Sequence, residues 1–118
     1  MTTNNDYLAA IDRYHELLHQ TPNDIGLILN LAWSYERVGQ YAESVQQFRR
    51  ALDLNEKSFD AYYGLGLALM GSGASRDALT AFKKSRELAM SESVDRSEMV
   101  MISKQVDVYI NRLGGRKG

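Results

Sequence analysis

Residues 28–55 read ILNLAWSYERVGQYAESVQQFRRALDLN, and the spacing of their apolar side chains decides the fold. Ile28, Leu31, Ala32, Tyr35 and Val38 recur every three or four residues, and so do Ser44, Val45, Phe48, Ala51 and Leu52. That is the period of a helix with one buried face, about 3.6 residues per turn, written twice. Gly39 stands between the two runs. A glycine there ends the first helix, because it enters the left-handed conformation without the Cβ clash that other residues suffer. The stretch predicts two helices joined by a tight turn.

Moving outward from it by the shift that carries Tyr14 onto Phe48, and Phe48 onto Phe82, the same pattern returns. Ser44 then superimposes on Ala10 and Ala78, Val45 on Ile11 and Leu79, and Ala51 on Leu17 and Ser85. Leu31 falls on Leu65 and Met99, Ala32 on Gly66, and Gly39 on Gly73. A fixed period of about 34 residues is the mark of a repeat protein, in which each unit is too small to bury its own apolar face and must stack on its neighbour. The small residues Ala32, Gly66, Ala51 and Ala78 let helix backbones approach, while Tyr14, Phe48 and Phe82 fill the space between. A large side chain at Gly66 is expected to cost about 1–3 kcal/mol through overpacking. The single proline, Pro22, follows Thr21, which predicts Thr21 as the N-cap of a helix with proline at its first position. No stretch reads as a strand.

These residues resemble the tetratricopeptide repeat family. Its pattern of a large residue, Leu, a small residue and Tyr, then Gly, then Ala, an aromatic and Ala is filled by Ile28, Leu31, Ala32, Tyr35, Gly39, Ser44, Phe48 and Ala51. Tyr62, Leu65, Gly66, Leu69, Gly73, Ala78, Phe82 and Ser85 fill it a second time. The resemblance implies an all-α fold, a right-handed superhelix of antiparallel helix pairs with about six helices, in one domain spanning residues 1–118. Within it, 4–20 is the second helix of a partial repeat, 23–55 and 56–90 are full repeats, 93–113 is a capping helix and 114–118 is a flexible tail. Glu56 and Met90 stand where the family often has proline, and Ser44 and Ser85 where it has alanine.

Composition narrows the function classes. Of 118 residues 44% are hydrophobic and 25% charged, which fits one soluble globular unit. Fourteen basic residues oppose 15 acidic ones for a net charge of −1. No block of one sign makes a nucleic-acid or anionic-membrane footprint, so neither is an expected partner. The absence of cysteine removes disulfides, thiolate metal sites and thiol catalysis. Met1 to Asp6 lacks the basic-then-apolar order of a secretory signal, and no apolar run nears the roughly 18 residues of a membrane span. A cytoplasmic protein without a cofactor is expected.

One catalytic motif occurs. His15, Glu16, Leu17, Leu18 and His19 spell H-E-x-x-H, in which two histidines one turn apart hold zinc and the glutamate activates water. A working site needs a third ligand, and Glu36 is the only nominee. The repeat register turns Tyr14, Leu17 and Leu18 inward, so His15 and His19 face solvent, where they bind metal adventitiously at most. Ser72, Ser75 and Ser93 read as helix caps rather than nucleophiles. Gly71-Ser72-Gly73 lacks the lysine of a phosphate loop. The chain is not expected to be an enzyme.

In the family, the first helix of each repeat lines a concave groove that accepts a peptide, so the resemblance points to one side of 24–38, 57–70 and 94–113. That side carries Leu29, Asn30, Trp33, Glu36 and Arg37, then Asp60, Tyr63, Leu67 and Met70, then Ser97, Met101 and Lys104. Peptide-binding residues are expected at Leu29, Asn30, Trp33, Arg37, Tyr63, Leu67, Met70 and Met101. Trp33 and Tyr63 lead, since large amphipathic rings dominate binding hot spots. The same stripe has a second reading as core, or as a surface covered by the last helix. Leu29, Trp33, Asp60, Tyr63 and Gly64 occupy the places where some members carry a basic clamp for a peptide carboxylate, so an apolar or amphipathic segment of another protein is the expected ligand. A homodimer is the alternative. Tyr7, Leu8 and Ile11 lack a preceding helix to cover them. Met99, Ile102, Val106, Tyr109 and Leu113 form one apolar seam on the last helix, and Val94, Met101 and Val108 a second.

Overall fold

The computed structural model describes residues 4–91 and 96–113, and all six of its elements are α-helices. They are α1 (Asn4–Gln20), α2 (Ile25–Arg37), α3 (Tyr41–Leu54), α4 (Phe59–Gly71), α5 (Ser75–Ser91) and α6 (Arg96–Leu113). Each packs against the next in chain order, and α2 also meets α4, which is the connectivity of a helical solenoid. Among the described residues there is no strand, and no helix long and apolar enough to cross a membrane. Ser93, Val94 and the 114–118 tail lie outside the described residues, as do the side chains of Ser97, Met99 and Ile102.

The turns follow from local chemistry. Gly39 and Gly73 have φ of 82° and 89°, and they are the only described residues with positive φ. The Gln40 N–H donates to the Tyr35 carbonyl and the Gly39 N–H to that of Glu36; Ala74 and Gly73 repeat the pair on Leu69 and Met70. This closes the orphan carbonyls of α2 and α4.

The N-caps differ from expectation. Asp24, not Thr21, caps α2, its Oδ1 accepting from the Leu27 N–H at 3.1 Å. Thr21 instead finishes α1, where both its N–H and its hydroxyl donate to the Leu17 carbonyl. With that hydroxyl engaged, the charged carboxylate three residues on is the better acceptor for the start of α2. Pro22 lies in the turn between the helices. Ser58 caps α4 by accepting from Ala61 N–H. Ser72 ends α4, donating to the Leu69 carbonyl, and Ser75 is the first residue of α5.

The core runs from α1 to α6 through Ile11, Leu31, Phe48, Leu65, Phe82 and Val106. Phe48 and Phe82 are fully buried, and glycines receive them. A Cβ at Gly64 would lie 2.2 Å from the Phe48 ring, and one at Gly66 would lie 2.6 Å from that of Phe82. The rings therefore sit where any other residue would have a side chain. The serines that replace alanine are also accounted for. The buried Ser44 hydroxyl donates to the Ala32 carbonyl at 2.8 Å, and that of Ser85 to the Phe59 carbonyl at 2.8 Å. Each ties the second helix of a pair to the first.

On α1 Leu8 is exposed and Tyr7 half-buried, but Ile11, expected to lack cover, is buried in the core. On α6, Val106 is fully buried and Tyr109, Ile110 and Leu113 pack on the core, while Met101 and Val108 are exposed.

Candidate functional site: an aromatic wall on α2, α4 and α6

Trp33 on α2 sits edge-on to Phe48, ring centroids 5.1 Å apart at 85°, so the buried phenylalanine fixes the indole from below. Tyr63 on α4 lies 6.3 Å from Trp33 and 6.0 Å from Phe82. Tyr109 on α6 stacks on Phe82 at 4.9 Å and 10°, and stands 6.4 Å from Tyr63. Two core rings thus hold three half-buried ones in a row across α2, α4 and α6. Leu29, Leu67 and Met70 lie half-buried on the same core. Asn30 and Arg37 are exposed on α2.

The predicted residues Leu29, Trp33, Tyr63, Leu67 and Met70 therefore pack against one core, with Asn30 and Arg37 beside them. Met101 is not brought to the aromatic row. It is 59% exposed and lies eight residues before Tyr109, about 12 Å along the helix. Phe48 points at Gly64 on the following helix, and Phe82 is met on α6 by Tyr109, about two turns beyond Met101. Tyr109, which its spacing assigns to a packing seam, is part of this wall. Its place between apolar Val106 and Leu113 gives it the signature of core, and only its ring contacts with Phe82 and Tyr63 distinguish the two.

The electrostatics are those of a half-dry surface. Burial, then the neighbouring Tyr109 hydroxyl through its charge interaction and hydrogen bond, then Glu36, push the Tyr63 phenol up to about 12, with Arg37 opposing. Tyr63 is a neutral hydrogen-bonding group at any physiological pH. Arg37 pairs with Glu36 at 3.7 Å, and Arg112 lies 5.9 Å over the Tyr109 ring. Both are exposed cations at the margins of the row, able to meet a carboxylate.

The H-E-x-x-H residues point elsewhere. His15 and His19 are both exposed, and His15 Nε2 is 2.8 Å from the Tyr35 hydroxyl, with the two rings in a T-shaped arrangement. Burial, followed by Glu43 and Asp12, raises the Tyr35 phenol, so it stays protonated. Among the described residues no three His, Asp or Glu side chains converge on a metal position. Glu36, the nominated third ligand, is the partner of Arg37.

Helix pairs joined by positive-φ glycines and stacked through alternating small and aromatic residues define an α-solenoid of short repeats. The family model described as TPR repeat matches residues 34–73. Small glutamine-rich tetratricopeptide repeat-containing protein 2 of Mycosarcoma maydis is 29% identical over 101 residues, 86% of this chain and 29% of the relative. The chain spans less than a third of the length of the first curated relatives it matches. Among solved structures, the TPR2B domain of yeast Sti1 in complex with pHsp70 superimposes with a TM-score of 0.81 at 16% identity, covering 96% of this chain and 86% of that one. The first TPR of Spaghetti (RPAP3) bound to an HSP90 peptide gives 0.68 at 24% identity, covering 87% and 84%. The chain belongs to the tetratricopeptide repeat family.

Proposed function

We propose that this chain is a non-catalytic, cytoplasmic interaction module whose concave α2–α4–α6 face holds an apolar or amphipathic segment of another protein. The row of Trp33, Tyr63 and Tyr109 carries this reading: three amphipathic rings braced from below by Phe48 and Phe82, each leaving part of its surface open. Such rings bury much area for little rotamer entropy, and bracing lowers the cost of binding further. The fold supports it, since similar structures hold pHsp70 and an HSP90 peptide. The ligand chemistry differs from a carboxylate clamp, because Leu29, Trp33, Asp60, Tyr63 and Gly64 put apolar and acidic groups at the clamp places.

The test is capture of partners from lysate by wild type and by a Trp33→Ala/Tyr63→Ala double variant shown by circular dichroism to stay helical. Retention by wild type alone supports the face, and the emission of Trp33, the single tryptophan, then reports binding of the captured partner's segment. Equal retention by both proteins removes it.

A second reading rests on a different observation: Val100, Met101 and Val108 expose three apolar side chains on α6, 45%, 59% and 52% accessible. This is the stripe of a homodimer contact. A monomeric mass at high concentration eliminates that reading.

A further inference from the structure

The other side of α4 forms a second recess. Tyr62 is turned about 100° around the helix from Tyr63, and with Leu65 and Leu69 it floors a cleft of about 340 Å³ whose walls are α3 and α5. Arg49 comes from one wall and Lys84 from the other. A smaller recess of about 240 Å³ shares Tyr62 and Lys84 with the first and reaches Lys57, so the two run on from each other. The combined lining is apolar below, with Arg49, Lys57 and Lys84 outnumbering Asp77 and Glu56 among the charged groups around it.

The cations are weakly engaged. Arg49 and Lys57 have no ion-pair partner among the described residues, and Lys84 meets only Glu87, at 3.7 Å and largely exposed. Asp77 and Glu56 also line the cleft, but neither is within ion-pair distance of a cation there. Two cations on opposing walls above an apolar floor complement a ligand that presents apolar side chains with a carboxylate beside them. An open cleft along parallel helix flanks suits a helix laid into it.

We propose that this second cleft docks an acidic amphipathic helix of another protein, its apolar side chains over Tyr62, Leu65 and Leu69 and a carboxylate between Arg49 and Lys84. Docking at this cleft goes beyond the concave-face reading and does not depend on it; where both faces bind, the chain joins two partners.

The experiment uses the full chain and a display library of short helical peptides. Two apolar residues one turn apart are kept, and the next position on the same face is varied over Asp, Glu, Lys, Arg and Gln. Wild type and the Trp33→Ala/Tyr63→Ala variant are expected to enrich Asp and Glu at that position, and Arg49→Glu/Lys84→Glu to enrich Lys and Arg instead. An enriched acidic peptide should bind about tenfold more weakly to the charge-reversed protein and recover when its own acid becomes lysine. The proposal is overturned by no enrichment, by enrichment indifferent to the charge reversal, or by binding lost in the aromatic variant. It is equally overturned if Arg49→Glu/Lys84→Glu converts a dimer to a monomer, since the occupant is then a second copy.

Discussion

Gly64→Ala adds one methyl group at the closest approach in the core. The new Cβ would lie 2.2, 2.3 and 2.9 Å from three Phe48 ring atoms, where ordinary contact begins at 3.4 Å, so the ring must retreat by more than its packing allows. Phe48 is fully buried and the Trp33 indole stands edge-on to it. Two effects compete. Alanine favours the helix over glycine by about 1 kcal/mol, and overpacking a core costs about 1–3 kcal/mol. A rigid ring pinned by a second ring belongs at the upper end, so the variant should lose about 2 kcal/mol net, a fall in Tm of roughly 8 °C for a chain of this size. Thermal and urea unfolding followed by circular dichroism measure the loss, and Trp33 emission should shift because Phe48 is pushed toward it. Phe48→Leu in the same background should restore part of the stability, giving a coupling of at least about 1 kcal/mol in a double-mutant cycle. A Gly64→Ala protein as stable as wild type, with unchanged emission, would refute the close approach.

Ser44→Ala and Ser85→Ala should each destabilise by about 1 kcal/mol, because each deletes a buried hydroxyl donor to a carbonyl of the preceding helix; equal unfolding midpoints would show that these bonds contribute nothing net. Asp24→Ala and Ser58→Ala should each cost about 1 kcal/mol as lost N-caps, whereas Thr21→Ala should cost less, a ranking that denaturant midpoints check directly. In an alkaline titration followed by ultraviolet absorbance, Tyr63 should ionise near 12, and Tyr109→Phe should bring it down part of the way, since burial remains the larger cause. The sign for stability follows: the fold favours the neutral phenol, so its contribution is complete below about pH 10, where the unfolded chain ionises, and is lost as pH rises to about 12. Arg86→Ala should change stability by less than about 1 kcal/mol, because the Arg86–Asp107 pair between α5 and α6 is solvent-exposed.

Much of this molecule is legible along the chain. The apolar period of residues 28–55, the glycines at 39 and 73 and the fixed-period recurrence specify helix pairs, their turns and their stacking. All three act over short stretches: a helix face needs only the right spacing, and a left-handed turn needs only a residue without Cβ. The half-buried places of Trp33 and Tyr63 follow from the same spacing. Local rivalry already blurs the helix ends, as at Thr21 and Asp24, where two capping residues stood within one turn and the hydrogen bond of one to α1 decided between them. What the tertiary structure alone decided is how far one helix slides along another. Nothing near Tyr109 in sequence says that it meets Phe82, because that fit is settled by the shapes of two rings on different helices. The second cleft is of the same kind, for Arg49, Tyr62 and Lys84 share no motif and are gathered only by packing α3 and α5 on either side of α4.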